Sequence, residues 1–260
     1  MRERNSSGPS RFVGIDLAWA ADKRHTGVAL MEGDARGCSL IELSSNLHSL
    51  QAVTQLVLER VSEDTVVAID ASLVVNNDGG QRPCETEIGR TFGRFGASCH
   101  STNRARRHFD SGARLVWNLT RQGFRHGLPL DAAKFRPGRW LIEVYPHPAM
   151  VRLFNLAEII RYKKGPVYER RRGLYLLQSH LRGLAARDGG LIPSECLDEL
   201  LGRNLTIRRG DVLKQHEDLL DAVFCAYLAW HFWRWGEEGN EVYGDLQTGY
   251  VVVPKPSLRR

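Results

Sequence analysis

Three short apolar runs in this 260-residue chain each reach an acidic side chain at their end: FVGID stops at Asp16, TVVAID at Asp70 and WLIE at Glu143. Runs this short, apolar throughout and bounded by turn formers, read as strands buried on both faces. Residues 26–31 (TGVALM) and 38–43 (CSLIEL) add two more strands, joined by a Glu-Gly-Asp-Ala-Arg-Gly turn, so that the chain opens with a three-strand meander. Over 47–61 the apolar positions Leu50, Val53, Leu56, Val57 and Val61 recur at helical spacing. A helix between the meander and the strand at 65–69 implies a parallel pairing for that strand. A fifth strand at 140–144 is cut off by Tyr-Pro-His-Pro, whose prolines cannot continue a ladder.

The remainder reads as helical, over 149–161, 168–188, a short stretch near 196–201 and a long apolar helix from about 216 to 235. Residues 72–139, rich in Gly, Asn, Arg and His, read as an insertion carrying short helices. The expected architecture is α/β: an antiparallel three-strand meander plus two parallel strands in a five-stranded mixed sheet, flanked by helices, with a long insertion after strand 4. Residues 11–260 form one domain with 71–138 as a basic insertion, and 1–10 is a loose polar tail without the apolar core of a secretory signal. No run approaches the roughly 18 apolar residues of a membrane span, and the five cysteines are odd in number and lack a C-x-x-C pair. A cytoplasmic protein without membrane association or structural zinc is expected.

In an open α/β sheet the carboxyl ends of the strands form one edge, where ligands bind, so Asp16, Asp70 and Glu143 can converge. Asp218 and Asp221, three apart in the last helix, share one face of it. Ala222, Cys225, Ala226 and Ala229 are small enough to let that helix approach the sheet. Asp218 falls in or near the first turn, where the helix dipole favours an ionised carboxylate. Asp221 lies deeper among small apolar neighbours, where an unpaired charge is costly. Clustered carboxylates push up one another's pKa values unless something cationic neutralises them. Mg²⁺ or Mn²⁺ held by Asp16, Asp70, Asp218 and Asp221, with Glu143 assisting, suits phosphodiester cleavage.

These segments carry a resemblance. GIDLAW (14–19), AIDASL (68–73) with Asn76, Gly80, Arg82, Cys84 and Glu85, EVYPHPA (143–149), EDLLDAVFCAYLAW (217–230) and GYVVVP (249–254) run through nearly the whole chain. Together they resemble the RNase H-like superfamily, nearest to its RuvC-type branch. More narrowly the chain is similar to a family of uncharacterised predicted nucleases of domain-of-unknown-function type. The resemblance implies that the first and fourth strands lie side by side at the sheet centre with the active site at their carboxyl ends. It matches Asp16 and Asp70 to the first- and fourth-strand acids, Asp218 and Asp221 to the paired acids of the last helix, and Glu143 to an acid of the narrower family. In the RuvC-type branch the fourth-strand acid is usually Glu, so Asp70 departs from that pattern.

Arginine supplies 30 of the 36 basic residues, against 30 acids, and an anionic partner follows from where they sit. Arg104, Arg106 and Arg107, then Arg114, Arg121 and Arg125, are interleaved with histidines and with Phe109, Trp117 and Phe124, as a phosphate track with stacking positions would be. A second cluster, Arg161 to Lys164 and Arg170 to Arg172, flanks Tyr162, Tyr168 and Tyr175, with a solvated helix face as the alternative. Lys214 is a candidate phosphate contact or a surface lysine, and His147 and His216 are proton shuttles or structural. Glu143 has a rival role as the partner of an arginine from the insertion, and Glu85 as a partner of Arg82 or Arg90. The expected function is a metal-dependent nuclease acting on DNA or RNA. The competing readings are a noncatalytic nucleic-acid-binding protein and an actin-like nucleotide-binding phosphotransferase; the second needs a duplicated half that this chain lacks.

Overall fold

Strand β1 (Ser10–Asp16) lies beside β4 (Thr65–Asp70) in parallel, with Asp16 opposite Asp70, and the meander continues antiparallel through β2 (Thr26–Asp34) and β3 (Gly37–Leu47). The computed structural model describes residues 9–20, 24–127, 135, 137–185 and 190–256. Between β3 and β4, helix α1 (Leu50–Arg60) is capped by Ser49, whose side chain accepts from the Ala52 N–H at 3.1 Å. Such a cap contributes about 1 kcal/mol. The insertion holds α2 (Pro83–Phe92), a single 3-10 turn, α3 (Ser111–Thr120) and the two-residue strand β5 (Arg125–His126). Then follow β6 (Arg139–Glu143), α4 (Pro146–Phe154), α5 (Val167–Leu184), β7 (Gly190–Ile192), α6 (Glu195–Gly202) and α7 (Gly210–Gly239). The hairpin of β8 (Asn240–Asp245) and β9 (Gly249–Pro254) ends the described chain.

The sheet is mixed and has seven strands in the order β5-β6-β4-β1-β2-β3-β7, not the five expected. The two extra members are short edge pairings: β5 comes from inside the insertion and β7 from the loop after α5, both running parallel to their neighbours. The C-terminal region is not all helical either, because β8 and β9 form a separate two-stranded sheet. The tail expected over 1–10 overlaps β1 at Ser10, and its first eight residues lie outside the described ones.

Strand side chains alternate between two cores. Phe12, Val66, Ala68 and Ile142 pack with α4, α5, α6 and α7, whereas Val13, Ile15, Val67, Ile69 and Leu141 pack with α1 and α3. By that period of two, Asp16 and Asp70 emerge on the α7 face. Helix α7 lies very close to the strands there. A Cβ added at Gly14 would sit 2.0 Å from the Ala222 carbonyl oxygen, and one at Gly27 2.5 Å from that of Asp218. Two glycines on the strands and the run of small residues on the helix are therefore what carry its acids to the sheet edge. The helix starts six residues earlier than its apolar pattern suggests, at Gly210. Asp218 is thus more than two turns inside it, and the dipole effect expected there does not apply, since it fades beyond the first turn.

Candidate functional site

Asp16 and Asp70 leave neighbouring parallel strands at the same level, and Asp218 and Asp221 descend on them from α7. Asp221 is wholly buried, with 0% exposure. Its Oδ1 accepts from the buried Tyr162 hydroxyl at 2.6 Å, and its Oδ2 is 2.8 Å from the Lys163 ammonium. Lys163 also stands 4.0 Å from Asp70 Oδ2. Asp218 is paired one turn up its own helix with Lys214, at 2.5 Å, and Lys214 reaches Glu217 at 2.7 Å. Arg170 of α5 completes the group, 3.1 Å from Glu217. Asp16 makes no ion pair or side-chain hydrogen bond with any described residue, although Lys163 acts on it at longer range.

The electrostatics follow from this packing. Burial, then the carboxylates of Asp221, Asp218 and Asp70, push Asp16 well above the carboxylate range in spite of Lys163. Burial is also the largest influence on Asp70, which is pushed up to about 7 by it together with Asp221 and Glu143, against Lys163 and Lys214. Burial alone would lower the Lys163 ammonium, but the facing carboxylates of Asp221, Asp16 and Asp70 override it and hold the charge firmly in place. His147, at the start of α4, is pushed down to about 4 by burial and by Lys163, so at neutral pH it is an uncharged acceptor. With Asp16 and Asp70 both ionised, five carboxylates, those two with Asp218, Asp221 and Glu217, would face three cations, of Lys163, Lys214 and Arg170. One dication would make up that difference of two, and without it Asp16 and Asp70 are the acids whose protons the packing holds.

Glu143 does not join this group, and the role expected for it is corrected. In the β4–β6 register it stands opposite Ile69, one residue short of Asp70, so the pleat directs it away from the α7 face. Both its oxygens are taken by Arg82, at 2.6 and 3.1 Å, and Oε2 also accepts from the Leu73 N–H at 2.7 Å. Arg82 in turn holds Glu85 at 2.9 Å, the alternative expected for that residue. Glu143 therefore positions the turn that follows Asp70.

Beside the cluster lies a cavity of about 1000 Å³, lined among others by Asp70, Glu143, His147, Lys163 and Lys164. The arginines proposed to bind substrate are not in its wall: Arg104 is exposed and paired with Asp78 at 3.3 Å, and Arg106 and Arg107 are exposed, leading to His108 and Phe109, which do line it. His216 is buried against Gln178, 3.2 Å away and far from any role in proton transfer at the cluster. Lys163 is the central residue that sequence reasoning passed over; only its membership of the Arg161 to Lys164 basic cluster marked it.

The donor set is all hard oxygen, which suits Mg²⁺ or Mn²⁺. No three His, Cys, Asp or Glu side chains among the described residues stand at the spacing of a metal cage. Lys214 and Lys163 are engaged at close range by Asp218 and Asp221, which leaves Asp16 with no ion pair among the described residues and Asp70 with only the 4.0 Å approach of Lys163. That is the usual provision for Mg²⁺, which binds through one or two carboxylates and keeps its other positions for water and substrate phosphate oxygens. The residues present fit one such ion and not a pre-built two-ion cage. No helix among the described residues is long and apolar enough to cross a membrane.

A family model described as Protein of unknown function (DUF429) matches residues 14–248, a span that takes in all four aspartates of the cluster. A comparison with curated proteins finds no match.

Proposed function

The chain belongs to the DUF429 family, and from its carboxylate cluster we propose a divalent-metal-dependent phosphodiesterase of nucleic acid built on an RNase H-like sheet. The observation that carries the reading is the raised pKa of Asp16 and Asp70, two half-buried acids in register at the carboxyl ends of adjacent parallel strands, which a bound cation would relieve. The side-by-side placement of the first and fourth strands supports the RNase H-like assignment.

Asp16 and Asp70 would hold the ion. When bound, Mg²⁺ or Mn²⁺ lends positive charge to the phosphate and acidity to a water molecule. Lys163 would have two tasks: it ties the segment before α5 to Asp221 of α7, and it offers positive charge beside Asp70 to an incoming phosphate. Tyr162, fully buried, locks the carboxylate from the other side. Uncharged His147 stands in the cavity wall as a proton acceptor at neutral pH. Lys214 screens Asp218 rather than touching substrate. The pairing of both helix acids with lysines also favours a second reading, a nucleic-acid-binding protein that keeps this sheet without cleaving.

Cleavage assays on single-stranded, duplex, hybrid and branched DNA and RNA separate the two readings. Hydrolysis of at least one substrate that needs Mg²⁺ or Mn²⁺ and stops on chelation is expected. Binding without metal-dependent cleavage of any substrate overturns the enzymatic reading in favour of the second.

A further inference from the structure

The cavity beside Asp70 and Lys163 has an aromatic wall as well as a charged one. Trp19, three residues beyond Asp16, lies in it with 50% of its surface exposed. Its backbone is tied down: the Ser111 hydroxyl donates to the Trp19 carbonyl at 3.0 Å, and the adjacent Ala18 N–H donates to Thr26 Oγ1 at 3.2 Å. Phe95 and Tyr145 also line the space, with the Arg94 guanidinium 4.6 Å from the Phe95 ring centre and the Tyr145 hydroxyl donating to the Ser98 carbonyl at 3.1 Å. Arg94 and Lys164 are exposed in the same wall and form no ion pair with a described residue.

Size and chemistry restrict what enters. A concave space of about 1000 Å³ is at the upper end of small-ligand pockets and has room for one or two nucleotides. An intact duplex keeps its base faces stacked internally and offers none to an aromatic side chain, whereas an unpaired base offers its π-face to any ring it meets. Unpaired cations beside such rings suit the phosphates on either side. We infer that this pocket receives an unpaired nucleotide, its base on Trp19 and its phosphates at Arg94 and Lys164, so that the substrate is a single strand or a single-stranded end. The inference rests on the cleavage reading for its biological meaning, but its binding component can be tested alone.

The test is fluorescence anisotropy of the full-length protein, in chelator so that nothing is cut, with a labelled oligo-dT strand and the same strand annealed to oligo-dA. The single strand is expected to bind about tenfold or more tightly than the duplex, and Trp19→Ala to weaken single-strand binding by about tenfold, the scale of one lost base stack, without altering the duplex. Trp19→Phe should restore most of the loss, which a purely structural role for the indole would not allow. Equal or tighter binding of the duplex, an unchanged affinity in Trp19→Ala, or no binding of either probe overturns the inference. Metal-dependent cleavage of intact duplex alongside any of these leaves the enzymatic reading intact and removes only the pocket assignment. Normal single-strand binding without cleavage of any substrate does the reverse.

Discussion

Asp70→Asn is expected to lower Mg²⁺-dependent cleavage about a thousandfold or more while raising the melting temperature of the metal-free protein above neutral pH. The loss corresponds to about 4 kcal/mol of transition-state stabilisation, the scale of charge neutralisation that an ion at the phosphate provides. The gain follows from the surroundings of Asp70: burial opposes its ionisation most, the carboxylates of Asp221 and Glu143 oppose it as well, and Lys163 and Lys214 favour it. The folded protein holds the Asp70 proton up to about pH 7, whereas the ordinary value is 3.8. Because the folded value is the raised one, stability from this group is fully present below about pH 4 and is lost as pH climbs through 7. Asparagine has no proton to lose, so the variant and the wild type should diverge between those limits. If about 2 kcal/mol of repulsion is relieved at pH 8, the melting temperature rises by roughly 4–8 °C. Excess Mg²⁺ should narrow the gap by stabilising the wild type alone. Thermal melts at pH 5 and pH 8 with and without Mg²⁺ check this. A variant that is less stable than wild type at pH 8, or that still cleaves, contradicts the assignment of Asp70 as a metal-holding acid.

Arg82→Ala is expected to cost about 3–5 kcal/mol of stability, the largest folding effect of any single charge removal here, because it leaves Glu143 and Glu85 buried without their cation. The guanidinium joins three parts of the chain. It pairs with β6 through Glu143 and with α2 through Glu85, and its Nη1 donates to the Val74 carbonyl at 3.1 Å. The Thr102 N–H donates to the same Glu85 carboxylate, at 3.2 and 3.1 Å, which fastens the insertion to this node. Glu143→Gln keeps the size and one acceptor and is expected to be far milder, with cleavage within about tenfold of wild type, the difference between a positioning residue and a metal-holding acid. Urea unfolding of both variants, with cleavage measured alongside, tests the distinction. A thousandfold loss of cleavage in a normally stable Glu143→Gln protein would return Glu143 to the acid cluster.

The difference between Glu143 and Asp70 also marks where the sequence stops being legible. Apolar runs ending in acids reveal strands and their carboxyl ends, and the spacing of Asp218 and Asp221 reveals a shared helix face, because both patterns are local. Register is not local: whether Glu143 stands level with Asp70 or one residue short depends on pairings across the sheet, and a one-residue offset turns the side chain to the other face. Lys163 was obscured for a similar reason. Its neighbours RYKKG read as a solvated basic run, and only the burial of Tyr162 against α7 turns the lysine inward to Asp221. The strands β5 and β7, two and three residues long, carry too few positions for any periodicity. The hairpin of β8 and β9 is hidden for another reason: the apolar GYVVVP run is conspicuous, but its partner strand NEVYGD is mostly polar and carries no apolar pattern of its own.

The proposed dication at Asp16 and Asp70 is best tested by growing crystals in Mn²⁺ and measuring anomalous scattering. One peak within coordination distance of both Asp16 and Asp70, absent in Asp16→Asn crystals grown alongside, is the expected result. Strong diffraction with no peak at these carboxylates, or with a peak only elsewhere on the molecule, contradicts it.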